Sequence, residues 1–190
     1  RTGLVPSERC DLSCVKTLLS TGSPLSEESF DYVYSHFGPD VQLASISGGT
    51  DLLSCLVTGV PLLPVHRGLI QAAGLGMDVQ VWNEEGQRVF NQRGELVCVR
   101  PFPTVPLGFW NDVANKKFIS SYFGKYEGVW CQSDFAEEYN NGSFRIHGRS
   151  DTVLNPGGVR IGTAEIYRQV AKISTIIDSV AIGQPWQGDT

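Results

Sequence analysis

GRSDTVLNPGGVRIGTAEIY, residues 148–167, sets two arginines, an acid and a Gly-Gly pair directly ahead of a helix start. The apolar alternation of Phe144 and Ile146 leads into it as a strand, which should end in a turn at Gly148-Arg149-Ser150-Asp151. Val153 and Leu154 resume an extended run. Asn155-Pro156-Gly157-Gly158 must end that run, because proline has no amide donor and glycine tolerates positive φ. Val159-Arg160-Ile161 reads as the return arm of a hairpin. After Gly162, Thr163 is the N-cap candidate and Glu165 complements the dipole of a helix whose apolar face is Ile166, Val170 and Ile173. Local propensity therefore expects a β-hairpin and an amphipathic helix, a pattern that names no function.

Working outward, residues 41–46 are apolar-rich and read as a buried strand. Ser47-Gly48-Gly49 should break it into a tight turn that lets backbone approach a ligand closely. Thr50 then offers a hydroxyl and Asp51 a carboxylate, the group types that hold phosphate oxygens and their Mg²⁺. Taken alone, SGGTD reads first as an Asx-rich turn. GVWCQSD, 128–134, places Asp134 where a strand should end, and most acids in that position only start turns. LSTGSPL, 19–25, reads as a strand end and turn. Ser26 can cap the helix that follows, with Glu27 and Glu28 in its first turn and Phe30, Val33, Tyr34 and Phe37 on one face, until Gly38-Pro39 ends it. That aromatic stripe reads as core rather than as a cofactor contact.

Together these residues resemble the adenylate-forming superfamily of acyl- and aryl-CoA synthetases, peptide-synthetase adenylation domains and luciferases. The stretch from Gly148 to Glu165 is similar to the superfamily's GRxDDxIKxxGxRIxxxEIE, with Thr152 in place of the second acid. SGGTD resembles YGxTE, and GVWCQSD resembles YxTGD at the matching offset from Arg149. The resemblance implies that Arg149 contacts the ribose or phosphate of an adenylate and that Asp151 is the hinge between a large and a small domain. It implies that Asp134 accepts from both ribose hydroxyls, that Thr50 grips the phosphate, and that Asp51 stands near Mg²⁺ in place of the usual Glu. Gly22, Ser23 and Pro24 would lie along adenine, with Ser23 replacing a Glu, and Ser47, Gly48 and Gly49 would complete the nucleotide set. Arg160 would line the nucleotide and CoA side and join Thr50 and Asp51 as a catalytic residue. Gly157 and Gly158 would form the loop beside the pantetheine tunnel. Gly48 stands where acetate-specific relatives carry a Trp, so it implies a larger acyl pocket, and Gly48→Trp should shift preference toward acetate.

The runs STGSPL, SISGGTDLLSC, LGMDVQVWNEEG, GELVCVRPFP and FWND resemble one branch of the superfamily, which joins acetoacetate to coenzyme A. The implied reaction takes acetoacetate or a similar short-chain acid, ATP and CoA, with Mg²⁺, through an acyl-adenylate to the thioester, AMP and diphosphate. The implied fold is mixed α/β. Residues 1–150 would be the last part of the large AMP-binding domain, with a distorted β-barrel-like section from roughly residue 60 to 150, and residues 151–190 the start of a small α+β domain. Superfamily enzymes are about three times longer, so the chain is expected to be an internal piece. Their phosphate loop and catalytic lysine have no match in it, and turnover by the piece alone is not expected. Two other readings stay open: a ligase for another short-chain acid or a carrier protein, and an inactive product with at most residual nucleotide binding.

Composition narrows the partners. The chain has 190 residues, 41% hydrophobic, with a net charge of −5, which argues against nucleic acid or an anionic membrane surface. Apolar runs are all too short for a membrane span. Cys10, Cys14, Cys55, Cys98 and Cys131 form no CxxC pair, and the odd count suits a reducing compartment, the cytosol. His36, His66 and His147 are too scattered to suggest a metal cluster. Residues 83–86 and 141–143 read as hairpin turns, and 179–182 as a strand.

Overall fold

A computed structural model describes residues 3–152, 154 and 161–183. Gly157, Gly158 and Arg160, with the rest of the expected hairpin tip, lie outside the described residues. The arms on either side do meet, because Leu154 and Ile161 form an antiparallel bridge.

β1 (Thr17–Ser20) and β2 (Gln42–Ser45) pair in parallel and are joined through α1 (Glu27–Phe37). α1 starts where the Ser26 hydroxyl accepts from the Ser29 amide at 3.3 Å, and Glu27 and Glu28 complement its positive end. Phe30 is buried, while Val33, Tyr34 and Phe37 are half-buried on the same face. Gly38, at φ 109, stops the helix.

β3 (Ser47–Gly49), β4 (Ser54–Thr58) and β5 (Ala72–Ala73) make a three-stranded antiparallel sheet. Further on, β6 (Val79–Trp82) and β7 (Arg93–Cys98) precede the short helix α2 (Lys116–Tyr122). β8 (Trp130–Glu138) and β9 (Phe144–Arg149) then complete a four-stranded antiparallel meander in the order β6-β7-β8-β9. Ile70 and Phe144 exchange backbone hydrogen bonds of 2.8 Å in both directions and bridge the two antiparallel sheets. The section formed by these two bridged sheets begins at Ser47, earlier than the residue 60 or so expected for the barrel-like section. Its interior is filled by Leu52, Leu56, Val81, Leu96, Trp130 and Phe144 among others, each contributing about 1.5–3 kcal/mol by leaving water. α3 (Thr163–Val170) packs on β9. The architecture is mixed helix and strand, as expected.

Several local expectations are corrected. Ser47-Gly48-Gly49 is a strand rather than a turn, and the chain reverses just beyond it, where Leu53 takes φ 50. Asp134 lies inside β8 rather than at its end, because the strand keeps its ladder with β9 as far as Glu138. Residues 88–90 pair with β6 at a single bridge, Trp82 with Arg88, on the edge opposite the one that β7 occupies. α3 is capped by Gly162, with Thr163 already its first helical residue. Residues 179–182 find no strand partner, and Val180 and Ile182 stay exposed. The turn at 141–143 forms as expected, with Gly142 at φ 81. No helix among the described residues is long and apolar enough to cross a membrane.

Candidate functional site

Parallel strands point their carboxyl ends the same way, and crevices beyond such ends are where open α/β sheets take ligands. Residues 21–24 follow β1 and residues 46–50 follow β2, so both segments leave the sheet at one edge. There they meet β8 and β9 across a cleft of about 550 Å³ lined by Gly22, Ser23, Pro24, Ser47, Gly48, Gly49, Thr50, Asp134 and Arg149. Apart from Arg160, outside the described residues, the whole set expected to hold a nucleotide opens on this one space.

Strand register sets the charged end. Asp134 and Arg149 are ladder partners across β8 and β9, and Arg149 Nη1 stands 3.8 Å from Asp134 Oδ1. Asp134 is buried, and its Oδ2 accepts from Gln132 Nε2 at 2.8 Å. Burial pushes its carboxyl up, while the Gln132 amide and the Arg149 guanidinium oppose that rise. Arg149 also grips Asp151 with two bonds, Nε to Oδ1 at 3.2 Å and Nη2 to Oδ2 at 3.0 Å. That pairing holds the Asp151 carboxyl below its ordinary value and raises the arginine. One guanidinium thus stands between the residue expected at the ribose and the residue expected at the hinge.

Asp51 faces a neighbouring cavity of about 330 Å³, which shares Gly48, Gly49 and Arg149 with the main cleft and adds Tyr122, Gln132 and Asp151. The Tyr122 hydroxyl donates to Asp51 Oδ2. Burial first, and then Asp51, pushes the phenol up to about 12, so it remains a donor at neutral pH. The Tyr122 ring stacks on Trp130 with centroids 3.9 Å apart and planes 8° from parallel. Trp130 Nε1 donates to Gln132 Oε1 at 3.3 Å. A single aromatic pair therefore supports both carboxylates, Asp51 through the phenol and Asp134 through Gln132. Tyr122, Trp130 and Gln132 were missed as site residues from sequence. The available signal was the period-2 spacing of Trp130, Gln132 and Asp134, which puts all three on one face of a strand.

Among the described residues no three His, Cys, Asp or Glu are grouped to hold a metal. Asp51 and Thr50 instead offer one hard carboxylate beside one hydroxyl, which fits a Mg²⁺ carried in on nucleotide phosphates rather than caged by protein.

The glycines of the cleft have a structural reason. A Cβ at Gly48 would fall 2.1 Å from the Ser54 carbonyl oxygen and 2.7 Å from Cys55 Cα, so β4 backbone fills that direction. A side chain there displaces a strand before it fills an acyl pocket, and Gly48→Trp does not isolate acid selectivity. Beside the cleft, a further cavity of about 410 Å³ begins at Ser23, Pro24 and Ile146 and runs between the start of α1 and the face of α3.

No family model matches the chain. Sequence relatives are found nonetheless. The chain is 54% identical over 187 residues to the acetoacetyl-coenzyme A synthetase of Rhizobium meliloti (strain 1021), which covers 98% of this chain and 29% of that protein. It is 45% identical to the acetoacetyl-CoA synthetase of Gallus gallus, over 95% of this chain and 27% of that one. Among solved structures, acetoacetyl-CoA synthetase from Streptomyces lividans superposes with a TM-score of 0.86 at 42% identity, over 95% of this chain and 28% of that one. The anthranilate CoA ligase AuaEII, solved with anthranoyl-AMP, superposes at 0.76 with 18% identity over 96% of this chain and shares the fold. The chain thus spans less than a third of the length of the relatives it matches.

Proposed function

Because this chain belongs, over the segment it spans, to the acetoacetyl-CoA synthetase family, we propose that it is the nucleotide-holding and hinge segment of an ATP-dependent acetoacetate–CoA ligase. The observation that carries the reading is the single cleft in which three separated motifs, around Ser23, Thr50 and Asp134, converge with Arg149.

In the proposed reaction an oxygen of the acetoacetate carboxylate attacks the α-phosphorus of ATP and diphosphate leaves, giving acetoacetyl-AMP. The CoA thiol, losing its proton, then attacks the acyl carbon and AMP leaves. Two anions must approach in the first step, so charge on the phosphates has to be offset. The Thr50 hydroxyl donates to a phosphate oxygen, and Asp51, oriented by Tyr122, would hold the Mg²⁺ that ATP brings. Mg²⁺ supplies Lewis-acid withdrawal of charge from the phosphates. Asp134 accepts from the ribose hydroxyls, its two oxygens matching two donors, and Arg149 neutralises the adenylate. Gly22, Ser23 and Pro24 flank the base. Arg160, Gly157 and Gly158 keep the CoA-side roles implied by their motif, and the boundary between a large domain, 1–150, and a small one, 151–190, falls at Asp151. The second step needs the small domain to turn about that residue. A cytosolic setting belongs to the same proposal.

The test is acid-dependent ATP–pyrophosphate exchange by the full-length protein carrying this segment. Acetoacetate should support exchange better than acetate or butyrate, and Asp134→Ala with Arg149→Ala should abolish binding of AMP. Exchange driven equally by all three acids would overturn the substrate assignment, and unchanged AMP affinity would overturn the site.

A further inference from the structure

Two adjacent residues, Ser150 and Asp151, are attached to the protein in opposite ways. The Ser150 hydroxyl donates to Glu95 Oε2 at 2.9 Å. Glu95 lies in β7 and is 4% exposed. Its other oxygen is paired with the Lys125 ammonium, and the Cys131 thiol stands 3.7 Å from Oε2. Burial pushes that thiol up to about 11, so it stays protonated and adds no second negative charge beside the carboxylate. A buried carboxylate persists only when it is paired and hydrogen-bonded, and here the partners come from three places: the loop after α2, β8, and the turn after β9. The Asp151 side chain is instead held by Arg149, and these two side chains are 53% and 49% exposed. Exposed pairs of that kind contribute little and are readily exchanged for solvent or a ligand.

We propose that Glu95, balanced by Lys125, is a positioning residue that clamps Ser150 and so defines the stationary end of the hinge. Turning then starts at Asp151 and not before it. β7 and the meander hold one side of the pivot through a buried charge, while beyond it Asp151, Thr152 and Glu165 are tied back through partly exposed contacts to Arg149 and Arg93 that can be exchanged once Arg149 is drawn to a nucleotide. This inference rests on the proposed hinge role of Asp151.

The experiment separates the two half-reactions in the full-length protein: pyrophosphate exchange for acyl-adenylate formation, and single-turnover release of AMP on adding CoA for thioester formation. Ser150→Ala removes the clamp without changing charge or opening a large cavity. It should slow the CoA step about three- to tenfold, the worth of one hydrogen bond, and leave exchange within about twofold. Ser150→Thr keeps the hydroxyl and should restore the CoA step. Glu95→Gln keeps an acceptor for Ser150 but strands Lys125, and should give an intermediate loss confined to the same step. Asp151→Pro, which stiffens the pivot itself, should give the largest split between the steps. Ser150→Ala with both steps unchanged, or with both lowered equally alongside a lower melting temperature, overturns the clamp while Asp151→Pro still splits them. Equal effects of Asp151→Pro on both steps overturn the hinge reading and the clamp with it.

Discussion

The section from residue 47 to 149 and the section from 161 to 183 carry similar apolar patterns and are built on opposite terms. In the first, strands pair along their length and the largest fully buried side chains, Trp130, Phe144, Leu52, Leu56 and Leu96, interlock between two sheets. In the second, α3 has no buried residue, and Ile177, Val180 and Ile182 are 96%, 80% and 79% exposed. α3 is held on the meander from outside, by the ion pair of Glu165 with Arg93 of β7 at 2.6 Å and by Gly162 lying close under the His147 carbonyl of β9. A helical period says which face is apolar, but burial needs a second surface to cover it. The cleft lies between the first section and the turns that follow β1 and β2, while the segment from residue 161 borrows its order.

The sharpest way to break that contrast is to remove a side chain from each section. Trp130→Ala should cost about 3–5 kcal/mol, because Trp130 is buried and packs against the rings of Tyr122, Phe102 and Phe123. Ile177→Ala should stay within about 0.5 kcal/mol. Urea unfolding of the chain measures both, and a comparable cost at Ile177 would mean that the second section has a core of its own. Gly162→Ala comes next. Its Cβ would fall 2.5 Å from the His147 carbonyl oxygen, and overpacking of this kind costs about 1–3 kcal/mol. Amide hydrogen exchange should rise across residues 163–170 and stay unchanged in β8; equal rises would tie the two sections into one cooperative unit.

Tyr122→Phe has a smaller effect, since it keeps the stack on Trp130 and loses the bond to Asp51. Stability should fall by on the order of 1 kcal/mol, and calorimetric affinity should drop for ATP with Mg²⁺ but not for AMP without it. Equal loss for both ligands would separate Tyr122 from the phosphate contacts proposed for Thr50 and Asp51.

The smallest effect is a pH dependence at His147, the contact between the sections. Burial pulls its pKa below the ordinary value and the nearby Arg93 adds to this, while Glu137, whose Oε2 lies 3.4 Å from Nε2, opposes it. The unfolded chain takes up a proton near pH 6.5 and the folded chain resists it. The histidine therefore costs no stability above that pH and destabilises progressively as pH falls through the window beneath it. The urea midpoint should drop from pH 7.5 to 5.5 more in the native chain than in His147→Gln, and parallel curves would discard the idea.

Much of the local structure was legible beforehand. Ser26 with its two following acids announced α1, and the Asn141-Gly142 turn announced the β8–β9 hairpin, because capping and positive φ are local requirements that few residues meet. The strand at Ser47-Gly48-Gly49 was not legible. Glycine there serves a close approach of β4, a neighbour that the local sequence does not contain. Residues 179–182 erred the other way: Val180 and Ile182 have the alternation of a strand, but a strand exists only with a partner to bond to. Thr50, Asp134 and Arg149 were singled out by their motifs and the structure brings them to one cleft, whereas Tyr122 carried no motif and joins the neighbouring cavity through its bond to Asp51.

The sequence by itself determined which groups the chain brings to its chemistry: the acids, the arginine, the glycines and their order, because side-chain chemistry and turn preferences are properties of single residues and short windows. Only the tertiary structure decided how those groups are held. Register across β8 and β9 set Arg149 opposite Asp134, an aromatic stack from α2 reached Asp51, and a buried Glu95 in β7 came to hold Ser150. Those relations join positions tens of residues apart, and only the packing of strands and rings in space brings them together.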